Sequence, residues 1–192
     1  MNILVDELPT RVKVGDKVYK IVTDFRTCLK IILAFEDPEI AMYEKNIIML
    51  ELMYPVIPTN IEEALKQGIK FLNGGKEVIS TTEPGLRVYS FSKDANFIFA
   101  AFRQTHGIDL EKMNMHWWKF LALFMDLGSE TAFCSMVNIR KRIKTGEATK
   151  EERHMAREME EVFGLPEDDN NLTIEEREAE AIFNQSLKVK NG

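Results

Sequence analysis

Cysteine, long apolar runs and excess positive charge are all scarce in this sequence, and each shortage removes a class of answers. Its 192 residues contain two cysteines, Cys28 and Cys134. Both fall inside apolar helical patterns, where a free thiol behaves as a small hydrophobe, so neither a disulfide framework nor a zinc cluster is expected. No apolar stretch reaches the ~18 residues needed to span a bilayer, and the opening Met1–Glu7 lacks the basic-then-apolar order of a secretory leader. The expected setting is therefore the cytoplasm. The net charge of −6 has the wrong sign for generic phosphate binding. With 45% apolar residues the chain still has material for a substantial core.

What is present is helical periodicity with recognisable ends. Val12–Val14 and Lys17–Ile21 are short β-prone runs around Gly15-Asp16, which predicts an N-terminal β-hairpin. Thr23 or Asp24 then caps a helix with apolar residues Phe25, Cys28, Leu29, Ile32 and Leu33 on one face. Asp37-Pro38 ends it, and a second helix is predicted over Glu39–Met53, before Pro55 and Pro58. Thr59 with Glu62 reads as the capping box of a third, stopped at Asn73-Gly74-Gly75. A fourth is predicted over Lys93–His106 with Gly107 as its stop.

Asp109 is expected to cap a further helix, on which His116, Lys119 and Asp126 make a narrow polar stripe and Trp117, Trp118, Phe120, Leu121, Phe124 and Met125 cover the rest. Helices from Ser129 to Lys144, after Thr149 (with Glu152 at capping-box spacing) and after Thr173 complete the pattern. The fold class is thus mainly α, a multi-helix domain with a small N-terminal β-hairpin. Residues 1–145 read as a helical core domain with an internal flexible connection near 76–91, and residues 146–192 as a charged helical C-terminal extension.

Reactive constellations are missing. His106, His116 and His154 belong to no metal-ligand or nucleophile–base spacing, and His116 reads best as a hydrogen-bonded structural residue. Gly74-Gly75-Lys76 lacks the first glycine and the Ser or Thr of a phosphate loop. The pairs Glu62-Glu63 and Asp168-Asp169 do not converge on one point and read as solvated charge. Trp117 and Trp118 beside the basic island Arg140–Lys144 would suit base stacking and phosphate contact. However, their helical spacing and the acidic chain favour a core role, so nucleic-acid binding is disfavoured. No catalytic, cofactor-binding or metal-binding residue is assigned, no cofactor is expected, and the chain does not read as an enzyme.

The wording of three segments carries more. Asp94-Ala-Asn-Phe-Ile-Phe-Ala-Ala-Phe102, Gly107-Ile-Asp-Leu110 and His116-Trp-Trp-Lys-Phe120 resemble a small protein family of tailed bacteriophages and prophages. Tyr19, Asp24–Thr27 and Ile139-Arg140 fall where that family has comparable residues, so the resemblance covers roughly residues 10–145. The resemblance implies a gene among the tail genes near the tape measure gene, and a role as tail assembly chaperone in the cytoplasm of the bacterial host. Its implied partners are phage tail proteins, especially the tape measure protein, with self-association left open and no membrane involved. The alternatives are a structural tail or baseplate-associated component retained in the particle, then a small nucleic-acid-binding regulator.

Overall fold

The computed structural model describes residues 2–76 and 87–165. Its contacts form two compact units, one from residues 2–76 with 114–121 and one from residues 87–113 with 122–165. Among the described residues there are eight helices and one two-stranded antiparallel sheet, so the fold is mainly α with a small N-terminal hairpin, as the periodicity predicts. Of the connection expected near 76–91, residues 77–86 lie outside the described residues, as do the helix expected after Thr173 and the pair Asp168-Asp169.

In the first unit, β1 (Arg11–Val14) pairs with β2 (Lys17–Lys20), Val14 opposite Lys17, across a turn in which Gly15 takes a φ of 58°. Helix α1 (Phe25–Glu36) begins where the Asp24 carboxylate accepts the Arg26 and Thr27 N–H groups. Helix α2 (Met42–Met53) starts three residues later than Asp37-Pro38 suggests. The Asp37 carboxylate accepts the Glu39 N–H in a local turn, and Glu44 accepts the Ala41 N–H, so the orphan donors are satisfied further along. Helix α3 (Ile61–Leu72) is capped by Asn60, whose side-chain oxygen accepts the Glu63 N–H; the expected Thr59 cap is displaced by one residue. Helices α1 and α2 pack together, as do α2 and α3, and β1 lies against α3.

The end of α3 shows what the His-Trp-Trp segment does. Gly75 N–H donates to the Lys70 carbonyl and Gly74 N–H to that of Phe71, a Schellman termination that needs the positive φ found at Gly74 (68°). Two indoles complete it: Trp117 Nε1 donates to the Leu72 carbonyl and Trp118 Nε1 to that of Phe71, each at 2.8 Å. A Cβ on Gly75 would lie 2.8 Å from the Trp118 ring, so this glycine is needed for close approach as well as for its φ of 84°. Trp117 and Phe120 are each 1% exposed and stack with ring centroids 5.4 Å apart, and Phe25 stacks on Phe120 at 5.1 Å. Trp117 and Phe120 belong to the core of the first unit, and half-buried Trp118 is joined to it by its hydrogen bond to Phe71.

Asp109 does not start a helix. Its carboxylate accepts the Glu111 N–H in a turn, and α5 (Trp117–Met125) begins only after His116. The reason lies in residues 23–25: Trp117 N–H donates to the Thr23 carbonyl and Phe25 N–H to the Met115 carbonyl, so the backbone entering α5 is committed to a bridge with the start of α1. His116 is therefore a capping residue and not part of a polar helical stripe. Its Nδ1 accepts the Trp118 N–H at 3.1 Å, while Nε2 contacts the Pro9 carbonyl at 3.0 Å. A carbonyl only accepts, so Nε2 is the donor in the contact with Pro9.

In the second unit, α4 (Ala95–His106) ends at Gly107, whose φ of 66° is the left-handed stop the sequence predicts. Helix α6 (Ala132–Thr145) starts at Thr131, whose hydroxyl accepts the Cys134 N–H, and packs on α4. Helix α7 (Lys150–Glu158) carries the predicted capping box: Thr149 Oγ1 accepts the Glu152 N–H and Glu152 accepts the Thr149 N–H. The short α8 (Glu160–Phe163) follows. Tyr89, Phe91, Phe124 and Phe133 form a ring cluster with neighbouring centroids 5.2–6.2 Å apart.

Candidate functional site

The most informative polar residues of the second unit are Arg140, which the sequence sets in a basic island, and Asp94. Arg140 opens the basic island Arg140–Lys144, yet it is 3% exposed, and Asp94 is 1% exposed. The two form a bidentate pair, Nη1 to Oδ2 at 2.6 Å and Nη2 to Oδ1 at 2.9 Å. The remaining donors are also placed: Nε on the Phe163 carbonyl at 3.0 Å, Nη2 on the Val162 carbonyl at 2.6 Å and Nη1 on the Val88 carbonyl at 3.3 Å. Asp94 Oδ2 additionally accepts the N–H of the fully buried Ser90. All five guanidinium N–H groups thus have acceptors, which is the condition for burying such a cation. A signal for this was available. Phe133, Met136 and Arg140 are the buried residues of α6 and stand at i, i+3 and i+7, so Arg140 occupies a core position of its own helix.

By holding the Val162 and Phe163 carbonyls, Arg140 fixes α8 and with it one wall of a groove of about 420 Å³ beside α6 and α7. The half-buried Ile143, Ala156, Phe163 and Leu165 supply its apolar surface. Exposed Lys144, Arg153 and Arg157 stand around it, with Glu160 the one carboxylate among the lining residues. The chain reaches Leu165 through a tight turn at Gly164, where a Cβ would meet the Glu160 carbonyl oxygen at 2.8 Å. Arg142 and Glu152 tie α6 to the start of α7, with Arg142 Nε 3.1 Å from Oε1. Hydrogen bonds from Arg142 and from the Thr149 backbone hold the Glu152 carboxyl below its ordinary range. An apolar trough with a cationic rim and no converging acid, base or nucleophile is suited to receiving apolar side chains that carry negative charge beside them.

The other residues weighed from the sequence have structural surroundings that account for them. His106 Nε2 lies 2.9 Å from the Leu123 carbonyl, and exposed His154 lies 3.4 Å from Glu158 one turn on. Glu63 accepts from Gln67, and Glu62 is exposed in the first turn of α3. Gly74-Gly75-Lys76 is the helix stop already described. Cys28 is buried, and desolvation together with the nearby Asp24 charge pushes its thiol up to about 12; Cys134 Sγ donates to the Leu127 carbonyl. Among the described residues no cluster of histidine, cysteine and carboxylates could hold a metal ion, and no helix is long and apolar enough to cross a membrane.

With that geometry in place, comparison with known families is direct: the family model described as Bacteriophage Gp15 protein matches residues 4–165. The chain belongs to this bacteriophage family. No curated protein and no solved structure matches it. The matched span takes in the Asp94–Arg140 pair and every groove residue through Leu165, and residues 166–192 follow beyond it.

Proposed function

We propose that this phage protein acts in tail morphogenesis as an assembly chaperone in the host cytoplasm, working through protein–protein contacts and not through catalysis. Its partner in this reading is the tape measure protein, a long helical chain whose apolar stripes need cover until tail subunits replace the chaperone. The observation that carries the reading is the groove of the second unit, an apolar trough rimmed by Lys144, Arg153 and Arg157. Helix-in-groove recognition uses such a surface, with apolar anchors giving affinity and surrounding charge giving register. Membership of the bacteriophage family is consistent with this role. The internal pairing of Arg140 weakens the nucleic-acid alternative, since it withdraws one cation of the basic island from any phosphate.

The test has two parts. Cross-linking in infected cells should join the rim lysine Lys144 to the tape measure protein, and mass spectrometry of purified particles should find this protein absent. Presence in the finished particle at fixed stoichiometry would instead make it a retained structural component.

A further inference from the structure

One edge of the hairpin in the first unit is open. Strands β1 and β2 pair with Val14 opposite Lys17, and Ile21 N–H donates to the Thr10 carbonyl. Hydrogen-bonded pairs alternate along an antiparallel ladder, so the backbone groups of Thr10, Val12 and Val14 turn toward β2 while those of Arg11 and Lys13 turn away. Among the described residues no hydrogen bond outside the ladder takes up these outward groups. Beside them lies a cleft of about 240 Å³ between β1 and the end of α3. Its lining takes Arg11, Val12 and Lys13 from β1 and nothing from β2, which sets it along the outer edge. Phe71 and Trp118 form its aromatic wall, and Trp118 is fixed there by its bond to the Phe71 carbonyl and by the close approach of Gly75. Lys70 joins Arg11 and Lys13 around the cleft, and no carboxylate stands among the described lining residues. The edge ends at Pro9, which has no N–H and whose carbonyl meets His116 Nε2.

We infer that the outer edge of β1 receives an extended acidic segment of another protein as a third strand, paired over Arg11–Lys13. This surface belongs to the first unit and does not rest on the groove of the second. Strand addition draws affinity from main-chain bonds and specificity from alternate side chains. The two faces of β1 differ: Arg11 and Lys13 are exposed on one, whereas Val12 is half-buried and Val14 buried on the other. The complementary strand therefore carries carboxylates on the face of Arg11 and Lys13 and apolar side chains on the face of Val12, toward the aromatic wall. A cleft of this size admits one or two apolar side chains and the paired stretch is short, so the cations decide which strand is accepted. They also argue against a second copy of this chain. Two such edges side by side would set Arg11 and Lys13 against like charges, which is how sheet edges avoid pairing with themselves. A nucleic-acid strand would satisfy the cations but could not continue the ladder, and the net charge of −6 opposes it.

The experiment uses the full chain and fluorescein-labelled synthetic peptides, read by anisotropy. A short peptide of alternating glutamate and valine should bind saturably, and more weakly as salt rises, because the attraction lies at the surface. The same peptide N-methylated throughout keeps its side chains and charge but cannot donate to β1, and should not bind. Lys13→Glu should weaken binding about tenfold, whereas Lys17→Glu, an equal change of charge on β2, should leave it unchanged. Hydrogen exchange across α1 and α3 verifies that both variants are folded. Absence of saturable binding overturns the inference, as do equal effects of Lys13→Glu and Lys17→Glu. Equal affinity for the N-methylated peptide, for a peptide of the same composition with its glutamates grouped at one end, or for an oligothymidylate would reduce the edge to a charged patch and overturn it as well. A wild-type dimer by sedimentation that Lys13→Glu converts to monomer would assign the edge to a second copy, with the same result.

Discussion

Replacing Asp94 by asparagine removes a charge and one acceptor while changing almost no volume, so any destabilisation belongs to the ion pair and not to a cavity. In the native unit Asp94 takes two guanidinium N–H groups and the Ser90 N–H, all at buried positions. In Asp94→Asn, Arg140 keeps its charge at 3% exposure, and an amide NH2 meets one of its donors head-on. Breaking a buried pair from one side costs about 3–5 kcal/mol, roughly a fifth or more of the stability of an ordinary domain. For a urea m-value of about 2 kcal/mol/M this moves the midpoint down by roughly 1.5–2.5 M. The probe must be chosen with care, because Trp117 and Trp118 both lie in the first unit and their fluorescence follows that unit. Amide exchange in α4 and α6 follows the second. The paired variant Asp94→Leu/Arg140→Met should recover most of the loss, since apolar residues of similar size often replace a buried pair without penalty. Its α8 amides should nevertheless exchange faster, for nothing then holds the Val162 and Phe163 carbonyls. A midpoint for Asp94→Asn within about 0.3 M of wild type would refute the reasoning.

Three further outcomes are expected. Trp117→Ala should lower the stability of the first unit by about 3–5 kcal/mol through a cavity and the lost hydrogen bond to the Leu72 carbonyl, checked by urea unfolding followed by circular dichroism. Cys28, buried and with its thiol pushed up to about 12, should resist iodoacetamide at pH 8 until the protein unfolds, as peptide mapping would show. The Glu152 carboxyl is held below its ordinary range, so its contribution is present above about pH 4 and is lost only as pH falls through the lower folded value. Protection of the Thr149 amide, which donates to the Glu152 carboxylate, should therefore persist through the range where exposed carboxylates protonate and be lost below it; loss already near pH 4.5 would show that Arg142 is not holding the carboxylate.

Features whose determinants are local in sequence were readable from it. The hairpin turn at Gly15, the Asp24 cap, the Gly107 stop and the Thr149–Glu152 box each depend on residues within four positions of one another, and each occurs where chain chemistry puts it. The misplacements share a different cause. Asp109 has the chemistry of a cap, but backbone groups at 115 and 117 are claimed by residues 23–25, far away in sequence. Arg140 reads as one of its charged neighbours because its partner stands 46 residues earlier. Adjacent charges on a helix point in different directions, and the position of Arg140 on the stripe of Phe133 and Met136 was the better guide. His116 combines both lessons: its hydrogen-bonded structural character follows from residue type, whereas its actual partners, Pro9 and Trp118, follow from the tertiary bridge.

The buried pair also explains why the groove has the shape it does. A hydrophobic pair at 94 and 140 would fill the same space but would leave α8, only four residues long, without a directional hold. The guanidinium fork provides that hold: two donors face Asp94, and Nε and the second Nη2 proton face the carbonyls of Val162 and Phe163. Its planarity sets those carbonyls in one orientation, which a lysine at the same position would not do. Phe163 is thereby presented to the groove from a fixed backbone and Leu165 follows through the turn at Gly164, while Arg153 and Arg157 line up on the neighbouring α7. The cation that the basic island offers to phosphate thus serves positioning, while Arg153 and Arg157 of α7 stay exposed at the groove. Arg140→Lys follows as the discriminating substitution. It preserves the charge beside Asp94 and should retain more of the global stability than Asp94→Asn, yet it should speed hydrogen exchange in α8 through loss of the contacts to the Val162 and Phe163 carbonyls; unchanged α8 exchange in a folded Arg140→Lys protein would separate the groove wall from the ion pair.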